Sequence, residues 1–163
     1  MSNVTLGPST ANVERTATGA DTALLLVRIA LGLPFIYHGA GIAFGAFGGP
    51  GLQGFSGFTH MPLVMAALVG YGEFLGGLGI LFGVLSRLAG GGLGLIMLGA
   101  IFLVHLKNGY DVQKQGFEYA LVLALLALLA AAVIAAGPGR LTLARFLPLP
   151  KRPGTDQPVP VLE

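Results

Sequence analysis

Leu68–Gly83, LVGYGEFLGGLGILFG, is a hydrophobic run with one carboxylate, Glu73, near its middle. An unpaired charge at bilayer depth is expensive, so a glutamate in such a run is expected to be protonated, to have a partner on a neighbouring helix, or to face a polar cavity. Working outward, the chain can be read as building that neighbourhood.

The surrounding composition is that of an integral membrane protein. Of 163 residues, 54% are hydrophobic and 10% charged, and the mean hydropathy is +0.80; the length suits one domain. A net charge of +2, with four of the nine basic residues in the last 24 positions, gives no footprint for nucleic acid. A positive-inside bias explains it more simply. There is no cysteine, which excludes disulfides, thiolate metal sites and thiol catalysis.

Residues 1–21 are polar and lack the basic start and apolar stretch of a cleaved signal peptide, and they are expected to form a flexible cytoplasmic tail. Residues 22–140 form the expected transmembrane domain. Its first span runs from Thr22 to about Ala43, long enough for a hydrocarbon core that takes roughly 20 helical residues. Phe44–His60, FGAFGGPGLQGFSGFTH, is too short and broken to span but too apolar for an ordinary loop. It is expected at the membrane interface, as a lid over anything bound below. A second span starts at Pro62, Ser86-Arg87 is read as a tight turn, and a third span continues to about Leu106. After the hydrophilic Lys107–Gly116 connection with its Asn-Gly turn signal, a fourth span covers Phe117 to about Ala136 and stops at Gly137-Pro138-Gly139-Arg140. Residues 141–163 are a Pro-rich tail. The expected fold is therefore an all-α membrane protein, a four-transmembrane-helix bundle with a Gly/Phe-rich interfacial segment between helices 1 and 2. Arg15, Arg87, Arg140, Arg145, Lys151 and Arg152 on one side, against Lys107 and Lys114 on the other, put both termini in the cytoplasm.

Depth follows from a rise of about 1.5 Å per residue. Arg28 and His38 lie about 7 Å to either side of the first span's centre, and Glu73 lies near the midplane. His105 and Glu118, with Tyr119, share the outer edge. These groups form a polar ladder, in which Arg28 and Glu73 are expected as a structural ion pair and His38, beside Tyr37, as a candidate ligand contact. Gly72-Gly76 and Gly79-Gly83 give two GxxxG spacings for close helix contact, and Gly90, Gly94, Met97, Leu98, Ile101 and His105 read as one stripe. Two histidines and two carboxylates invite a metal, but the spacing matches no metal or haem ligand motif.

The order of these elements resembles the DoxX family of small four-helix membrane proteins, related to the DoxD-type subunit of thiosulfate:quinone oxidoreductases. The likeness runs from about Ala23 to Arg140. It is carried by LLLVRIALGLPFIYHGAGIAFG, GGPGLQGFSGF, GYGEFLGGLGILFGVLSRLAG, MLGAIFLVHLKNG, GFEYALVLALLAL and the closing GPGR. Arg28, His38, Glu73, Arg87, His105, Glu118 and Tyr119 match the family pattern. The resemblance implies a quinone-linked or otherwise redox-associated subunit of the bacterial cytoplasmic (inner) membrane. A quinone needs an apolar slot, hydrogen-bond donors and a proton path. Ubiquinone or menaquinone would be bound by Tyr37, His38, His105, Glu118 and Tyr119, with Glu73 and His38 as the catalytic pair. Electrons would come from a soluble substrate or a protein partner in a membrane redox complex; a homo-oligomer is the other expected assembly. The competing expectations are a non-catalytic assembly or stabilising subunit, or a small-solute or proton transporter.

Overall fold

The structure, a computed structural model, describes residues 10–114, 116, 122, 125, 126, 129, 135 and 139–147; of residues 10–18, 112, 144 and 145 it describes the backbone alone. The described residues are helical with no strand. Helix α1 is Thr10–Phe44, α2 is Gly51–Thr59, α3 is Leu63–Phe82 and α4 is Ser86–Ala100. A π-helical turn, Ile101–His105, and a 3-10 turn, Leu106–Asn108, prolong α4. Three stretches are long and apolar enough to cross a membrane: Gly19–Phe44, Leu63–Phe82 and Ser86–Asn108, of 26, 20 and 23 residues. Leu26, Leu68, Leu95 and Phe102 each leave more than half their surface outward, where a lipid solvent suits them. The expected fourth span, Phe117–Ala136, lies largely outside the described residues. Its positions 122, 125, 126, 129 and 135 are helical, and Leu126 and Leu129 pack against the core.

The first helix starts earlier than expected. Much of the anticipated flexible tail is the first part of α1, because no proline interrupts the chain between Pro8 and Pro34 and Ala11, Glu14, Arg15 and Ala17 favour helix. The α3–α4 turn also differs: it is made by Gly83-Val84-Leu85, and Ser86 already opens α4. Gly83 takes the left-handed conformation (φ 71°) that ends many helices. Leu85 follows it there at φ 48°, a conformation that costs a side-chain-bearing residue roughly 1–2 kcal/mol. The Asn108-Gly109 turn signal holds, with Gly109 at φ 75°.

Helices α1 and α3 are packed nearly backbone to backbone. On α3 the buried positions are Ala66, Gly70, Glu73, Gly77 and Ile80, the spacing of a stripe facing one neighbour. A Cβ on Gly77 would sit 2.8 Å from the Ile36 nitrogen and 2.9 Å from the Gly32 carbonyl oxygen; one on Gly39 would sit 2.8 Å from the Gly70 carbonyl oxygen. Two antiparallel glycine pairs, Gly32 with Gly77 and Gly39 with Gly70, therefore set the approach. The GxxxG glycines Gly72 and Gly76 face α4 instead, against Ile96 and Leu93. Gly76 thus does not share the Glu73 face as its spacing suggests. On α4 the buried positions are Ser86, Gly90, Leu93 and Met97, continued by Ile101 and His105. Leu93 takes the place expected for Leu98, which is 49% exposed. Leu31, Phe35, Ile80, Leu93, Met97 and Ile101 form the apolar core between the three helices.

A side chain at Gly39 or Gly77 must drive α1 from α3. Gly39→Leu and Gly77→Leu are each expected to lower stability by about 3 kcal/mol or more, since overpacking a core typically costs 1–3 and here the obstacle is backbone. Gly91→Ala, with nothing within 4 Å of the new carbon, should change it little. Thermal unfolding of detergent-solubilised protein, followed by fluorescence-detected gel filtration, distinguishes the two classes.

Candidate functional site

Glu73 is 1% exposed and lies on the α3 face pressed against α1. Its Oε2 is 2.5 Å from Nδ1 of His38, a hydrogen-bonded pair. The close approach at Gly39–Gly70, one position along α1 from His38 and three along α3 from Glu73, brings the two side chains within reach. The pair is asymmetric: the carboxylate is 2% exposed and the imidazole 54%. With Nδ1 committed to the carboxylate, Nε2 is the imidazole atom left to meet whatever lies beyond.

Beyond it lies a cavity of about 610 Å³. Pro34, Phe35, Tyr37 and His38 from α1 form one wall, Val69 and Glu73 from α3 another. Met97 and Ala100 from α4 and Val104 and His105 beyond it form a third, with Leu126 also lining the space. Pro50, Phe55, Phe58 and Thr59 cover it from α2 and the residue before. Aromatic contacts reinforce this end of the bundle. Tyr37 stacks on Phe47 at 4.8 Å between centroids, and Phe44 meets Phe74 edge to face at 5.2 Å. Phe47 has a left-handed backbone, φ 55°, between Gly45 and Gly48, both also at positive φ. Among the described residues no buried side-chain nitrogen or oxygen lacks a hydrogen-bond partner.

Four of the sequence candidates, Tyr37, His38, Glu73 and His105, thus line one cavity, and Glu118 and Tyr119 lie outside the described residues. Arg28 does not join them. The expected Arg28–Glu73 pair is replaced by His38–Glu73, while the 2%-exposed guanidinium serves the opposite end of the bundle. It donates from Nε to the Ile80 carbonyl (3.1 Å), from one terminal nitrogen to Leu81 (3.0 Å) and from the other to Leu141 (2.8 Å). Ile80 is seven residues beyond Glu73, about 10 Å along the helix axis. Carbonyls in the last turn of a helix have no intrahelical donors, so Arg28 caps α3 and fastens the segment after Arg140 to it. Nearby, Asp21 Oδ1 accepts from the Arg140 backbone N–H at 2.7 Å. Arg87 is exposed, with a 3.5 Å contact to the Ala135 carbonyl.

The apolar cavity residues carry little signal in the sequence. Pro34 has the one usable cue: a proline inside a helix cannot donate to the carbonyl four residues back, which interrupts the regular ladder of α1 beside the cavity. Phe35, Val69, Met97, Ala100 and Val104 look like ordinary lipid-facing or core residues until the helices are assembled.

Residues 23–106, 84 of the 163, match the family model described as DoxX. The chain is 32% identical over 103 residues to a protein of Bacillus subtilis (strain 168) named "Putative oxidoreductase CatD", covering 63% of this chain and 74% of that one. No solved structure matches.

Because Arg28 ties three segments together away from the cavity, Arg28→Met should act on stability rather than on the site. At about 1.5–3 kcal/mol for each charged hydrogen bond, a loss of about 3 kcal/mol or more is expected. Ligand binding by the fraction that remains folded should persist. Undiminished thermal stability together with lost binding would contradict this placement.

Proposed function

We propose that this chain, which belongs to the DoxX family, is a quinone-binding subunit of a membrane redox system. The observation that carries the proposal is the buried carboxylate of Glu73 holding Nδ1 of a histidine whose other face opens into an apolar, aromatic-covered cavity. A cavity of about 610 Å³ is in the range of small-molecule sites. Its chemistry suits a quinone headgroup: few polar groups, among them side chains of Tyr37, His38 and His105 whose O–H or N–H can donate to a carbonyl oxygen, on walls of Pro, Val, Met and Phe. A quinone supplies two-electron, two-proton redox chemistry when bound. For this chain, His38 orients the headgroup and exchanges a proton at Nε2. Glu73 fixes the imidazole's tautomer and stabilises its charged form when a proton arrives. The apolar walls keep bulk water from the headgroup. The name of the Bacillus subtilis relative, an oxidoreductase, fits this direction.

The surrounding architecture follows from the same reading. Four spans, the fourth from Phe117 to about Ala136, cross the bacterial cytoplasmic membrane with both termini inside. The α2 segment lies at the outer interface as a cover for the cavity. Electrons come from a partner protein or a soluble reductant. A second reading, a non-catalytic assembly subunit, is favoured by a different feature. A groove of about 550 Å³ between α3 and α4, lined by Gly72, Gly76, Gly79 and Gly92 among leucines, is the kind of surface on which another helix packs closely.

Lipid extraction and mass spectrometry of the purified protein are expected to recover ubiquinone or menaquinone in near-stoichiometric amount. His38→Ala should reduce the retained quinone severalfold, and Glu73→Gln, which leaves the imidazole held but uncharged on its far side, should lower quinone-linked turnover more than binding. Equal quinone content and turnover in both variants, together with a co-purifying membrane partner, would favour the assembly reading.

A further inference from the structure

The polar side chains of the bundle are shared unevenly between its two ends. From the level of Glu73 toward the end where Arg28 lies, no span carries a side chain that can pass a proton. In α1 the residues between Arg28 and Tyr37, IALGLPFI, are apolar or glycine, and so are Phe74–Gly83 after Glu73 and Leu88–Val104 after Arg87. The expected fourth span adds none, because residues 120–136, ALVLALLALLAAAVIAA, are Ala, Leu, Val and Ile alone. The packing closes the same region. Phe35 and Met97 line the cavity at its inner end, and behind them Leu31, Ile80 and Leu93, exposed by 0%, 0% and 1%, complete one apolar cluster. A file of waters needs a void of about one water-sized sphere per molecule and two to four polar partners for each. This layer offers neither. Ile80 lies about 10 Å along the helix axis from Glu73, and beyond it the Arg28 guanidinium is engaged with the carbonyls of Ile80, Leu81 and Leu141.

The opposite end is built differently. The His38 imidazole is 54% exposed, and Tyr37, Thr59 and His105 line the cavity with it. The titratable groups around the pair are therefore Tyr37 from α1 and His105 from the end of α4. The α2 cover, GLQGFSGFT, has no titratable group and no buried residue, and Leu126 is the described contribution of the fourth span. We infer that the His38–Glu73 pair exchanges protons with one aqueous phase alone, the phase on the α2 side of the membrane, and is sealed from the phase on the side of the termini by the Leu31–Ile80–Leu93 layer. On the orientation proposed above, the α2 side is the outer one. The sealing follows from the packing; only the identity of the protons rests on the quinone reading. On that reading, one quinone takes two electrons from the reductant and two protons from the outer water to give one hydroquinone, and the reverse reaction returns both protons to the same side. Electrons and protons are thus supplied separately, and Glu73 ends the proton route instead of relaying it across the bilayer.

The chain has no cysteine, so a single cysteine in the full-length protein reports one position. The test uses membrane vesicles of both orientations and a charged, membrane-impermeant methanethiosulfonate, which reacts with a thiol that water reaches. Ser2→Cys marks the side of the termini. Gly57→Cys, with nothing within 4 Å of the new carbon, marks the α2 side. Ala100→Cys places the thiol on the cavity wall. The expected result is full labelling of Ala100→Cys in vesicles that expose Gly57→Cys and loss of that labelling in vesicles that expose Ser2→Cys. Val104→Cys, on the same wall, gives the same answer if Ala100→Cys does not fold. Labelling of the cavity cysteine from the Ser2 side, or from neither side, would overturn the inference. Labelling as expected in a protein that retains no quinone would remove the quinone reading and leave one-sided access standing.

Discussion

A carboxylate inside an apolar helix bundle must be given a partner, and the rest of this structure follows from how Glu73 gets one. Removing an ionised group from water costs several kcal/mol even after relaxation. A single surface-type ion pair returns at most about 1 kcal/mol, so only a short, well-aligned hydrogen bond in a closely packed setting is adequate. The glycine pairs Gly32–Gly77 and Gly39–Gly70 create that setting by letting α1 and α3 touch along their backbones. With side chains at those four positions the helices would stand apart, and His38 Nδ1 would not reach Glu73 Oε2 at 2.5 Å.

The same packing divides the polar residues of the bundle between two tasks. Arg28 is buried among carbonyl groups at the C-terminal end of α3, where it completes the helix and anchors Leu141. It is structural glue, well suited to a planar guanidinium with several donors in fixed directions. His38 is half open, with its buried side held and its exposed side facing a cavity covered by Phe55, Phe58 and Pro50. A group fixed at one nitrogen and available at the other is the arrangement from which proton exchange with a bound molecule can be built. Positive φ at Gly45, Phe47, Gly48 and Gly51 marks the short link from α1 into α2, whose Phe55 and Phe58 line the cavity.

Much of this is legible in the sequence, and the failures have identifiable causes. The apolar runs locate α3 to within a few residues and the end of α1 closely, because roughly 20 apolar residues with few charges have little alternative to a spanning helix. Glu73 stands out for the same reason. The sequence points to the wrong partner because axial depth is the only coordinate it offers: depth puts Arg28 and His38 about equally far from the first span's centre, and charge then favours arginine. What decides between them is which end of α1 lies beside Glu73 in the antiparallel pair, and the glycine contacts fix that register. The GxxxG spacings mislead in a similar way. Gly72 and Gly76 do make close contacts, but with Leu93 and Ile96 of α4, while the α1 contact uses the seven-residue spacing of Gly70 and Gly77. Helical spacing already puts His105 on one stripe with Met97 and Ile101, which are buried with it, but the π turn that ends on it has no signature in Ile101–His105, and its apolar companions in the cavity wall cannot be told from lipid-facing residues before assembly.

The pairing itself is open to direct measurement by a double-mutant cycle on His38 and Glu73, with unfolding free energy in a fixed detergent or lipid mixture as the readout. His38→Ala, Glu73→Ala and the double variant should be non-additive by about 1–3 kcal/mol, the coupling expected of two side chains sharing a short hydrogen bond. Additivity within about 0.5 kcal/mol, the behaviour of residues that do not touch, would show that the carboxylate finds its partner elsewhere and that the cavity is not organised around this pair.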